Sequence, residues 1–100
     1  MLHIMNHAAF DSAPVDRLLS RIGEGHTLML IENGVYMVKR GSVAAERLER
    51  SLSDLTVCVL APDLAARGIT AAEVMARVTV VDFGGFVDLA VDNAVIHSWI

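Results

Sequence analysis

One cysteine, one lysine and no apolar run of membrane length mark what this 100-residue chain does without. A lone thiol, Cys58, forms no internal disulfide, so a reducing cytoplasm is the expected compartment. The longest uninterrupted apolar stretches, such as Leu28-Met29-Leu30-Ile31, fall far short of the ~20 residues a bilayer span requires. The opening Met1-Leu2-His3-Ile4-Met5-Asn6 has no basic region and no sustained apolar block, and no secretory signal is read there. Eight Lys+Arg face twelve Asp+Glu, giving a net charge of −4, and no basic run exceeds Lys39-Arg40. That leaves no electrostatic footprint for direct nucleic-acid binding.

What the chain has is apolar substance. Hydrophobic residues make up 54% and charged residues 20%, which excludes disorder because burial can offset the ordering entropy. The length allows one small domain over residues 1–100 and no deep private cleft. The apolar surplus must face something, and in a chain this small the expectation is another subunit.

Strand and helix signals alternate along the chain. Leu2 and Ile4 belong to a short strand ending at Asn6. Ser12 is placed to cap a helix with Pro14 in its first turn, and Val15, Leu18, Leu19 and Ile22 form its apolar stripe before Gly23 and Gly25. His26 to Ile31 reads as a strand covered on both faces, and Glu32-Asn33-Gly34 as a turn. Val35 to Val38 is a short strand or a helical turn. A second helix runs from Ser42 to about Ser53, with Ala44, Leu48, Leu52 and Leu55 inward and Glu46, Arg47, Glu49 and Arg50 outward. Thr56 to Leu60 is another buried strand, followed by a helical turn or two over Pro62–Gly68. Thr70-Ala71-Ala72-Glu73 is a capping box and predicts a helix start. Val78 to Val81 is a fourth strand, Asp82 caps a helix carrying Phe86, Leu89 and Ala90, and Ala94 to Ile100 is a final edge strand. This alternation predicts an α/β, three-layer sandwich: a mostly parallel sheet of four or five strands flanked by helices.

Few residues suggest chemistry. Cys58 sits between Val57 and Val59 in a strand, without the cation or helix N-terminus that a reactive thiolate needs, and reads as an inert buried thiol. If any residue were catalytic it would be this one, as a thiol nucleophile. His3 and His7 flank a strand end, where four residues span roughly 13 Å, too far apart to share a metal. His3 is expected to bond backbone, and His26 and His97 have no recognisable company. Gly84-Gly85 after Asp82-Phe83 faintly suggests a phosphate loop but lacks both G-x-G-x-x-G and G-K-[ST]. The composition therefore describes a scaffold with no metal site and no cofactor. Tyr36, Met37, Trp99 and Ile100 are the candidate interface residues, the last two because an apolar chain end needs somewhere to dock.

Several segments taken in order resemble the TusB/DsrH family of sulfur-relay subunits. They are Met1-Leu2-His3, Glu24-Gly25, Glu32-Asn33-Gly34-Val35-Tyr36, Ala61-Pro62-Asp63-Leu64-Ala65-Ala66-Arg67-Gly68, Val81-Asp82-Phe83, Phe86-Val87-Asp88-Leu89 and Ser98-Trp99. The resemblance implies an α/β subunit of a hetero-hexamer, two copies each of three related chains, with the persulfide-carrying cysteine on a sister subunit. It implies two sister subunits and a downstream sulfur acceptor protein as partners, with no direct nucleic-acid contact and no membrane. One branch of the family serves 2-thiolation of the tRNA wobble uridine. The other works with dissimilatory sulfite reductase in sulfur oxidation and tends to carry a cysteine in the first helix. Here Leu18 and Leu19 occupy that region and no cysteine lies between Asp11 and Gly25. That departure favours the tRNA branch, and no catalytic role carries over to Cys58.

Overall fold

Apolar residues on both sides of the central strands dictate a sheet covered on both faces. The computed structural model describes residues 1–8, 12–93 and 95–99, and of Ser12 the backbone alone. Its strands are β1 (Leu2–Met5), β2 (Thr27–Leu30), β3 (Thr56–Leu60), β4 (Thr79–Val81) and β5 (Ile96–Trp99). They form one sheet in the order β4-β3-β2-β1-β5, and every neighbouring pair is parallel. The helices are α1 (Ser12–Arg21), α2 (Val43–Ser51), α3 (Ala61–Ala66) and α4 (Phe83–Asp92). The expected α/β sandwich with a parallel sheet is what the chain forms.

Side-chain alternation divides the sheet into two unequal faces. Met5, Leu28, Leu30, Val57 and Val59 point into the larger core, against Val15 and Leu18 of α1, Ala44 and Leu48 of α2, and Leu64 of α3. Leu2, Met29, Cys58 and Leu60 point the other way, where α4 packs with Phe86, Leu89 and Ala90. The second face is thinly covered. No residue of α4 is fully buried.

Local signals set most of the boundaries. Ser42 Oγ accepts the Ala45 N–H at 3.0 Å and caps α2; Asp82 Oδ1 accepts the Gly85 N–H at 2.7 Å and caps α4. The expected Ser12 cap rests on a side chain outside the described residues, as Ile100 does wholly. Two expectations change. The Glu32-Asn33-Gly34 turn and the segment after it form one 3-10 helix, Glu32–Val38. The capping box at Thr70 exists, with the Thr70 N–H donating to Glu73 Oε1 at 3.1 Å, but starts only a single 3-10 turn, Ala71–Glu73. Beyond it the backbone turns away to pair elsewhere: Arg40 N–H bonds Glu73 O at 2.7 Å and Met75 N–H bonds Val38 O at 2.9 Å. Tertiary pairing outcompetes helix propagation.

Candidate functional site

Parallel sheets bind their ligands at the carboxyl ends of the strands. At that edge Glu32-Asn33-Gly34, after β2, meets Asp63 and Arg67 of the segment after β3. The Glu32 N–H donates to Asp63 Oδ2 at 2.7 Å, and Arg67 Nε donates to Asn33 Oδ1 at 2.9 Å. Arg67 also donates from Nη1 to its own helix at the Asp63 carbonyl, 3.1 Å, and pairs with the Asp63 carboxylate at 3.8 Å. Glu32 holds φ of +50°, a left-handed conformation that costs a non-glycine residue roughly 1 kcal/mol or more. Its bond to Asp63 holds it there. A Cβ on Gly34 would stand 2.5 Å from the Met5 carbonyl oxygen, so only glycine lets this loop lie against β1. The network joins three strand ends. It presents no thiol or hydroxyl, and its one guanidinium is engaged within the chain.

Cys58 lies in mid-strand, between Met29 and Thr79 in register, and is buried at 3% exposure beneath the α4 layer. Burial pushes its thiol above the ordinary cysteine value. A thiol held protonated is a poor nucleophile. The faint phosphate-loop signal at Gly84-Gly85 also resolves into packing. The carboxylate of Asp82 already occupies the start of α4, and a Cβ on Gly85 would sit 3.1 Å from Val81 Cβ. A cleft of about 310 Å³ at the start of α2 has Arg40 and Ser42 in its wall, and both are bonded within the chain, Arg40 to the Val74 carbonyl.

Near the opposite end of the sheet the histidines do have company, contrary to the reading from sequence. His3 is buried at 2% exposure; its Nε2 lies 2.9 Å from His26 Nδ1, and its Nδ1 accepts the Trp99 indole N–H at 3.1 Å. His3 therefore bonds side chains, not the backbone that sequence suggested. The His97 ring lies 5.9 Å from His3 and 4.6 Å from Trp99, centroid to centroid. Burial first, then the positive charge of His26, His97 and the Met1 amino group, lowers the His3 pKa below its ordinary value. Among the described residues no group of three or more His, Cys, Asp or Glu is placed to hold a metal ion.

The candidate interface residues separate. Met37 is 1% exposed within the larger core, so it presents nothing to a partner. It falls inward because Val35 to Val38, read as a short strand or a helical turn, belongs to a 3-10 helix that turns Met37 into the core. Tyr36 and Trp99 are half-buried and pack against the same core. No helix among the described residues is long and apolar enough to cross a membrane.

The profile of the family described as "DsrH like protein" matches residues 7–95. A protein named TusB from Enterobacter sp. (strain 638) is 32% identical over 99 residues, covering 99% of this chain and 100% of its own. TusB of Salmonella enteritidis PT4 is 35% identical over 101 residues, with the same coverage. The ychN protein of E. coli shares the fold with a TM-score of 0.74 at 12% identity, covering 98% of this chain and 97% of its own. A Methanobacterium thermoautotrophicum protein of unknown function, MTH1491, shares it at 0.72 and 15%, covering 98% and 96%. With the family profile spanning most of its length and relatives above 30% identity end to end, the chain belongs to the DsrH family, alongside proteins that carry the name TusB.

Proposed function

We propose that the chain is a non-catalytic subunit of a hetero-oligomeric sulfur-relay complex in the cytoplasm, serving 2-thiolation of the tRNA wobble uridine. The sulfur-carrying cysteine belongs to a sister subunit, and a downstream acceptor protein takes the sulfur onward. One observation carries this reading within the chain: its only thiol is buried in mid-strand and held protonated by that burial. A persulfide relay needs a thiolate that can reach a partner's sulfur, and Cys58 offers neither charge nor access. A free-standing transferase built on Cys58 is thereby disfavoured. The chain instead supplies a rigid edge, locked by Arg67, and apolar surface for assembly.

Sulfur oxidation is the second reading, because one branch of the family that the sequence resembles serves it. The absence of cysteine from α1 favours the tRNA branch. Deleting the gene and measuring 2-thiouridine in tRNA separates the two. Loss of the modified base, restored by the wild-type gene, is the expected result. Unchanged 2-thiouridine with impaired sulfur oxidation would overturn the tRNA assignment.

A further inference from the structure

The most exposed large apolar side chains among the described residues are on α4, while Met1, Val43 and Val80 are exposed singly elsewhere. Phe83, Val87 and Val91 stand at i, i+4 and i+8 on α4, with 60%, 59% and 78% of their surfaces exposed. Together they form an exposed apolar stripe along the helix, and a contiguous apolar patch of this kind marks an interaction site. Val95 and Ile96, which follow the helix in sequence, are also about half exposed. By contrast α2 turns Glu46, Glu49 and Arg50 to solvent and exposes one large apolar residue, Val43 in its first turn. On α4 the inner residues Phe86, Leu89 and Ala90 are themselves only half-buried, so both sides of the helix are apolar.

The charges around this stripe have one sign. Asp82, Asp88 and Asp92 are exposed, and no lysine or arginine follows Arg77. A second copy docking by two-fold symmetry through the same face would set Asp88 and Asp92 against the same acids. A surface apolar at its centre and basic at its rim fits instead. One partner in a standard interface contributes about 800 Å², an area of which the stripe forms the centre and its surroundings the rim.

We propose that the outer face of α4 is where a different subunit docks, its matching surface apolar in the middle and rimmed by Lys or Arg. This rests on the reading of the chain as a relay-complex subunit and names the surface that reading leaves open. Burying the stripe also completes the thin cover over Leu2, Met29 and Cys58.

The test co-expresses the tagged chain with the two sister subunits of its relay complex and quantifies the assembled complex. Val87→Asp is expected to weaken assembly by roughly tenfold or more, with the helical circular dichroism of the subunit unchanged. Asp88→Lys with Asp92→Lys should weaken it further at low salt than at high salt. Should Val87→Asp lose its fold, hydrogen exchange on the wild-type chain decides: amides of Phe83–Asp92 must slow on assembly. Normal assembly by Val87→Asp, or α4 amides that exchange equally fast in the complex, overturns the placement while leaving the subunit reading intact. A wild-type chain that captures neither sister subunit overturns the subunit reading itself. A homodimer closed through α4 overturns the choice of partner.

Discussion

The indole Nε1–H of Trp99 donates to Nδ1 of His3 at 3.1 Å, joining the last strand to the first across 96 residues of sequence. The bond fixes a proton inventory. His26 Nδ1 accepts the Gly23 N–H at 3.0 Å, so it is an acceptor, and the proton in the contact 2.9 Å from it belongs to His3 Nε2. Neutral His3 then has Nδ1 free to accept the indole. A second proton on His3 would sit where the indole N–H already points.

Stability should therefore fall with acid. His3 has a lowered pKa in the folded chain, so the unfolded state binds protons more readily between about 6.5 and the lower folded value. The contribution is complete above about pH 6.5 and is lost as pH falls through that window. Urea midpoints measured from pH 8 to pH 5 should decline below 6.5, with His26, His97 and the Met1 amino group adding to the repulsion. His3→Asn keeps an acceptor for the indole without titrating, and should flatten the decline. An equally steep decline in that variant would remove His3 as its source.

Trp99→Phe isolates the bond itself. It keeps an aromatic ring against the core but leaves a buried acceptor on His3 unsatisfied, a loss of about 1–3 kcal/mol. Chemical denaturation of the isolated chain reads this directly. No loss in the isolated chain, with weakened assembly, would return Trp99 to an interface role.

Gly34→Ala should be among the costlier single-methyl additions. Its Cβ would meet the Met5 carbonyl oxygen at 2.5 Å, and backbone cannot swing aside as a side chain can. The expected loss is about 3 kcal/mol, the upper end for overpacking. Gly41→Ala is the control: φ of +82° with open space around it predicts only about 1 kcal/mol of strain. Thermal or urea unfolding of the pair should rank them in that order.

The strands and helices were legible because each is written locally, as apolar runs, stripes and the Asp82 cap. Which residues share a site was not. His3 and His97 become neighbours only because β5 returns to pair with β1, and the strand order β4-β3-β2-β1-β5 is a nonlocal outcome. The Thr70 box shows the opposite failure. Its local signal is intact, and the backbone pairing of Arg40 with Glu73 stops the helix after one turn. Met37 was misplaced for a different reason: the reading left strand and helical turn open over Val35–Val38, and which of them forms decides the way its side chain faces.

Asn33 and Arg67 should prove coupled. Their 2.9 Å bond ties the segment after β2 to the end of α3, and removing either side chain breaks it. A double-mutant cycle with Asn33→Ala and Arg67→Ala is expected to give about 0.5–1.5 kcal/mol of interaction energy. Arg67→Lys should behave nearly as Arg67→Ala, because a lysine cannot reach Asn33 and Asp63 together in fork geometry. Additive losses would mean the bond contributes nothing to the edge.

Cys58 provides the sharpest test of the scaffold reading. Folded protein should resist thiol alkylation that the denatured chain accepts at once, because the side chain is 3% exposed and its thiol is held protonated. Cys58→Ser places a hydroxyl among Leu60, Met29 and Leu2, at a cost of about 1–3 kcal/mol if no new bond forms. Cys58→Ala avoids that polar penalty and should cost less, so the two variants separate folding from chemistry. In the reconstituted complex both should transfer sulfur at close to the wild-type rate once assembled. A Cys58→Ala chain that folds, joins its sister subunits and stops transfer would make this thiol a carrier, reached by an opening of the α4 layer.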